Sequence, residues 1–325
     1  MTTLDRRTLL AGMGAGLLAA CEAPRNGSDL AEAKKPAEGG IGGTGIVGTL
    51  TDFSSLIVNG LRVATPPDMR VTTALGPARA ADLAIGQSLT IEAARAEAGL
   101  AARRVHITHP VIGTVGRAAP DGQRGEVAGV PVLLEPGAIG RLTPGQRVAL
   151  SGLWRGGQVI ASRLDPVAGG LDVIAGVAER DEGRPQGGRL RVGGVPVDLQ
   201  GRSTPPVGSF VTVTGAHQGD RLVAAEIVLG RFVGAAGPLE ALSVEGYLDP
   251  IPTAPFYAVS GLGHSFDAGA ELAPFRESRS VFSGPYSGTF DVATGLMLPE
   301  AFEPRRALIR RIAAGETSKL LRPAR

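Results

Sequence analysis

A short pattern recurs along this chain at a nearly constant interval, and that recurrence limits the fold more than any other feature. It reads Val58-Asn59-Gly60-Leu61-Arg62-Val63, then Val127-Ala128-Gly129-Val130-Pro131-Val132, then Val192-Gly193-Gly194-Val195-Pro196-Val197, with a weaker copy at Val259-Ser260-Gly261-Leu262. The shared glycines lie 69, 65 and 67 residues apart. A second anchor precedes each copy: Val47-Gly48-Thr49-Leu50, Ile112-Gly113-Thr114-Val115, Ala175-Gly176-Val177 and Glu245-Gly246-Tyr247-Leu248. A third comes after the first three copies, with Gly86-Gln87-Ser88, Gly145-Gln146-Arg147 and Gly208-Ser209-Phe210 each opening an alternating run. Anchors repeated in the same order mean repeated structural units.

Each unit reads as strands. Asn59-Gly60 and Gly193-Gly194 suit a two-residue turn whose central residues need positive φ, which predicts a β-hairpin at every copy. Leu89 and Ile91, Val148 and Leu150, and Val211 and Val213 alternate with polar or small residues, so one face of each strand is buried. Pro131 and Pro196 cannot donate to a ladder, which places that arm of the hairpin near an edge or bulge. The runs 158–162 and 221–225 supply a closing strand. About five short strands per unit fit a small closed barrel similar to the oligonucleotide-binding type, and closure leaves no open sheet edge. The predicted architecture is all-β: tandem small β-barrels, about four units with the fourth divergent, a flexible N-terminal tether and a short C-terminal helix.

The anchors Gly48-Thr49-Leu50, Val58-Asn59-Gly60-Leu61-Arg62-Val63 and Asp82-Leu83-Ala84-Ile85-Gly86-Gln87 resemble the bacterial family known as domain of unknown function 5666. The resemblance covers roughly residues 45–229 as three copies, with a divergent fourth to about 300. Its motifs are turn and core positions. It implies an envelope protein of small β units and brings no catalytic residues with it.

The N-terminus indicates where such a protein resides. Arg6 and Arg7 precede an uncharged run to Ala20, and Leu18-Ala19-Ala20-Cys21 closes it. A charged head, a short apolar run and small residues before a cleavage point make an export signal, too short to span a bilayer. The paired arginines resemble a twin-arginine signal and the ending resembles a bacterial lipobox, which implies lipidation of Cys21 and a periplasm-facing envelope protein. An uncleaved anchor is the competing reading. Cys21 is the only cysteine, so no disulfide forms within one chain. The expected layout is signal 1–21, tether 22–44, units 45–110, 111–170, 171–229 and 230–302, and a basic tail 303–325. Residues 64–84 form a longer insertion with room for a short helix. At the end, Leu308, Ile309 and Ile312 share a helical face beside arginines, with Pro304 near the start and Gly315 as the stop. That helix either covers the open end of the last barrel or rests on anionic lipid or a partner.

Glycine (48) and proline (24) exceed a fifth of the chain, which favours short strands and tight turns. The formal charge of +2 is concentrated at the two ends, and the body between them is mildly acidic. Together with envelope residence, this removes the electrostatic support for a nucleic-acid partner.

Chemistry-bearing motifs are sparse. There is no nucleophile elbow, phosphate loop or His-Glu-x-x-His. His106 and His109 stand three apart, but a strand turns them to opposite faces, and no cysteine or acid lies nearby to complete a metal site. No metal, cofactor or catalytic residue is expected. Composition changes only in the fourth unit, where residues 247–302 hold nine of the thirteen aromatics. Tyr257, His264, Asp267, Arg276 and Tyr286 make the candidate binding set there, because rings with a few polar groups suit a ligand or partner surface. The alternative is a bulkier core. The leading functional expectation is a non-catalytic, lipid-anchored spacer and adaptor that presents the fourth unit to an envelope protein or polysaccharide. A small-ligand or glycan-binding sensory module is the alternative, followed by a glycan-active enzyme.

Overall fold

The computed structural model describes residues 42–316 except 54, 182–189, 264–265 and 268, together with 322–323. Cys21, Arg6, Arg7 and nearly all of the expected tether lie outside the described residues, as does His264. The first strand already begins at Gly43.

The repeated pattern folds as the turn chemistry demands. Asn59-Gly60, Ala128-Gly129 and Gly193-Gly194 have φ of 56° and 82°, 49° and 79°, and 56° and 79°. These are the positive angles of a two-residue hairpin matched to strand twist. In the first unit the hairpin joins β2 (Leu56–Val58) to β3 (Leu61–Ala64), after β1 (Gly43–Asp52). The insertion forms a second hairpin, β4 (Arg70–Thr73) and β5 (Gly76–Ala78), then one 3₁₀ turn at Ala80–Asp82, rather than a regular helix. Its β-branched run Val71-Thr72-Thr73 pairs in parallel with β7 (Gly99–Ile107), which comes after β6 (Ser88–Ala96). The pairings run β1-β2-β3-β7-β6 and back to β1, a ring of five strands.

The second unit closes the same ring with β8 (Val111–Ala118), β9 (Arg124–Val127), β10 (Val130–Ile139), β11 (Arg147–Arg155) and β12 (Gln158–Pro166). The third does so with β13 (Asp172–Arg180), β14 (Leu190–Val192), β15 (Val195–Asp198), β16 (Phe210–Gln218) and β17 (Arg221–Leu229). In every ring the third and fifth strands are parallel and all other neighbours antiparallel, the order 1-2-3-5-4-1 of an oligonucleotide-binding-type barrel. Pro131 and Pro196 each sit one residue before that parallel ladder begins, so neither is asked for a second partner. The recurrent glycine of the second anchor has a packing role. A Cβ at Gly48 would stand 2.1 Å from Asn59, at Gly113 2.5 Å from Ala128, and at Gly246 2.4 Å from Val259. Only a residue without a side chain lets the hairpin cross the first strand so closely.

The fourth unit is a copy that does not close. Its strands are β18 (Leu239–Gly246), β19 (Leu248–Pro250), β20 (Tyr257–Val259), β21 (Ser280–Pro285) and β22 (Thr294–Met297), and β22 pairs with the short β23 (Arg322–Pro323). The β19–β20, β18–β21 and β21–β22 pairs reproduce the pairings of the other units. Among the described residues, a single bridge, Phe266 to Phe290, stands where the parallel ladder closes the other rings. Phe266, Phe275, Phe282 and Phe290 fill the gap as a buried cluster, with ring centroids 5.5–5.7 Å apart.

The units are packed against one another rather than strung out. Residues 41–325 form one compact body. β18 pairs in parallel with β1, so the fourth unit returns to the first, and β8 pairs with β13 to join the second and third under a common core. Helix α1 (Phe302–Ala313) covers the fourth unit, as one reading of the sequence has it, and the first unit with it. Ile309 packs with Ile57, Val281, Leu296 and Leu298, which places the helix over the first and fourth units. Its arginines are engaged there: Arg310 pairs with Asp52 at 2.7 Å, and Arg306 donates to the Thr51 carbonyl at 2.8 Å.

At the junction of units one, two and four lies a buried ion quartet. The Arg279 guanidinium donates to Glu135, to Glu245 at 2.7 Å and to the Thr49 hydroxyl at 2.9 Å. Arg305, from α1, donates to the second oxygen of Glu135. All four charged residues are at most 2 % exposed. Trp154 occupies a second junction. Its indole donates to the Ala175 carbonyl at 2.9 Å and fills the space above Gly193 and Gly261.

Candidate functional site

A cavity with convergent polar groups lies between the β4–β5 hairpin and the outer face of the third barrel, with a volume of about 630 Å³. That is within the roughly 300–1,000 Å³ range of small-ligand pockets. Strand periodicity builds both walls. Val211 and Val213 point into the barrel core, so Thr212 and Thr214 point out into the cleft. On the opposite wall, β4 sets Thr72 beside His106, and the Thr72 hydroxyl lies 2.9 Å from His106 Nδ1.

The base of the cleft is a buried arginine. Arg231 belongs to the connection between the third and fourth units, is 8 % exposed, and stacks its guanidinium 3.8 Å above the Phe210 ring. Its Nε is buried and has no hydrogen-bond partner, and no acidic side chain among the described residues pairs with it. Burial alone pushes its pKa down to about 9, so the side chain stays cationic at neutral pH without a counter-charge. The backbone around it is held by Glu92, which is wholly buried. Glu92 accepts from the amides of Val233 and Ala235 at 2.9 and 2.6 Å and pairs with Arg104 at 3.3 Å. Arg104 is thereby neutralised and Arg231 is left as the surplus charge. Glu226 lies exposed on the cleft wall.

His106 and His109 line this same cleft, contrary to the expectation that they face opposite ways. β7 ends at Ile107, and the chain turns through Thr108–Pro110 instead of continuing its alternation. Burial, then the charges of Arg104, His109 and Arg231, push the His106 pKa down to about 3. Burial also lowers His109, whose Nδ1 lies 3.0 Å from the Leu150 carbonyl. Both imidazoles are therefore neutral at physiological pH. Among the described residues no three metal-ligating side chains converge.

A second polar constellation lies at the seam of the second and third barrels. Asp172 pairs with Arg147 and stands 2.8 Å from His217 Nδ1, beside a cavity of about 480 Å³. The free ring nitrogen, His217 Nε2, is buried without a partner, so it is not presented to a substrate.

Of the candidate set Tyr257, His264, Asp267, Arg276 and Tyr286, all but His264 lie among the described residues. Tyr247, Phe266, Phe275, Phe282 and Phe290 are core. Tyr257 and Tyr286 are half-buried against that core, Asp267 accepts from the Gly269 amide at 2.8 Å, and Arg276 is exposed beside Glu277. None of these lines the cleft. The residues missed in the sequence are Arg231, Arg104 and Glu92. The one available signal was Arg231, a lone charge in the connection between two repeats.

No family model, no curated protein and no solved structure matches this chain.

Proposed function

We propose that this chain is a non-catalytic, lipid-anchored protein of the bacterial cell envelope whose body binds a small ligand in the cleft between the first and third units. The observation that carries the reading is Arg231, a buried cation without a counter-charge among the described residues, at the base of a cavity of ligand size. An uncompensated buried charge is costly unless something pairs with it, and a ligand is the available partner. The envelope location rests on the Arg6-Arg7 signal and the lipobox ending at Cys21. The neutral imidazoles and threonines of the cleft fit recognition by hydrogen bonds. An adaptor role for the fourth unit has less support, because most of its rings are consumed by the core.

Native mass spectrometry of the protein released from membranes in mild detergent tests this reading. The wild type should retain a small molecule, and Thr212→Trp, which fills the cleft, should lose it. Equal retention by both proteins, or uptake by neither from an envelope extract, would refute a ligand site here.

A further inference from the structure

Eight large apolar side chains are exposed on the described surface: Phe53, Leu75, Leu171, Val207, Val228, Leu229, Val233 and Phe256. Four of them, Leu75, Leu171, Val228 and Val233, line the cleft above Arg231. Isolated exposed apolar residues need no explanation, but half of them converging on one cavity does. The mouth is therefore greasy and the base is cationic. Thr72, Thr212, Thr214 and the neutral His106 stand between the two and add hydrogen-bonding groups but no charge.

We propose that the cleft takes a small amphipathic anion, with a carboxylate or phosphate head on Arg231 and an apolar body across Leu75, Leu171, Val228 and Val233. This rests on the cleft being the ligand site. A purely polar anion would leave the apolar mouth in water. A neutral amphiphile would leave the buried Arg231 guanidinium without a counter-charge among the described residues. The planar guanidinium offers several donors to a two-oxygen head, and its stacking on Phe210 fixes the plane it presents.

The test titrates the full chain with decanoate, decyl phosphate, decanol and inorganic phosphate. Trp154, the only tryptophan, reports binding because it shares a small inner void with Phe210 and Arg231. Decanoate or decyl phosphate should bind roughly 30-fold more tightly than decanol, and Arg231→Gln should remove most of that difference. Whichever of the two anions binds more tightly identifies the head. Should Arg231→Gln fail to fold, the exposed hairpin residue serves instead. Leu75→Asp should weaken the anion about tenfold more than Leu75→Lys does, whereas a neutral ligand would lose equally with both. Decanol binding as tightly as decanoate would overturn the anionic head but leave the cleft as the site. Inorganic phosphate binding as tightly as decyl phosphate would overturn the apolar body. Binding of no amphiphile would overturn the proposal, whereas the cleft itself stands or falls with the Thr212→Trp comparison.

Discussion

Replacing Glu135 with glutamine tests how the four units are held as one body. Glu135, on β10 of the second unit, is 2 % exposed and accepts from both Arg279 of the fourth unit and Arg305 of α1. Removing its charge leaves two buried guanidinium groups sharing Glu245 alone, and the Arg305 Nε, 3.7 Å from Glu245, already lacks a hydrogen bond. Breaking a buried ion pair from one side costs about 3–5 kcal/mol, because the abandoned cation stays desolvated. For a body of this size that corresponds to a drop of roughly 5–8 °C in melting temperature. The informative comparison is Glu135→Gln with Arg305→Met, which removes one charge of each sign. The double variant should recover at least half of the loss, giving a coupling energy of about 1.5–3 kcal/mol in a double-mutant cycle. Thermal melts monitored by circular dichroism, with hydrogen exchange across α1, measure both quantities. A drop below about 2 °C for Glu135→Gln, or no recovery in the double variant, would refute the view that this quartet joins the units.

Other perturbations have equally definite outcomes. Trp154→Ala should cost about 3–5 kcal/mol and lower protection in the second, third and fourth units together, because the indole fills the space between them; hydrogen exchange would reveal a purely local loss instead. Stability should fall with acid between about pH 6.5 and pH 3, because His106 stays neutral in the folded body down to about 3 while the unfolded chain protonates near 6.5. The slope approaches 1.4 kcal/mol per pH unit for one such group, and His106→Asn should flatten it in urea titrations at stepped pH. Cys21→Ser should move the protein from the membrane pellet to the soluble envelope fraction, and persistence in the pellet would refute lipidation at that position.

The parts of this structure that were legible in the sequence are those set by local backbone chemistry. Asn59-Gly60 and Gly193-Gly194 announced hairpins because positive φ restricts the residues that fit, and alternation announced which strand face is buried. The fourth copy was recognisable by Gly246 and Gly261 for the same reason, but its failure to close was not. Closure depends on a parallel ladder between distant segments, and here one Phe266–Phe290 bridge stands for it. Strand pairing between units was equally hidden. Nothing in the alternation of β1 says whether its edge meets β18 or solvent, so the packing of the fourth unit on the first was not legible. The aromatics of the fourth unit fitted either a binding surface or a bulkier core, and Phe266, Phe275, Phe282 and Phe290 are core. His106 and His109 were visible, but their faces were misassigned because the strand stops between them.

The cleft arises from the ways the repeats differ rather than from the repeats. Three barrels share one topology and one set of turn glycines, so a perfect array would present the same featureless wall three times. The first unit departs by adding β4 and β5, which extend its sheet past β7 and raise Leu75 over the third barrel. The third unit departs at its exit, a connection containing Arg231 and Val233 that Glu92 of the first unit pins by two backbone amides. The fourth unit departs by opening and pairing with β1, and that return is what brings residues 231–238 across the first barrel. Each departure costs something that a regular repeat would avoid: an extra sheet edge, a buried arginine without a counter-charge, an unclosed barrel. The first two line one cavity, and the third holds in place the connection that carries Arg231. Local conflicts with an otherwise consistent fold are where function is expected to sit, and here they line or support a single cleft.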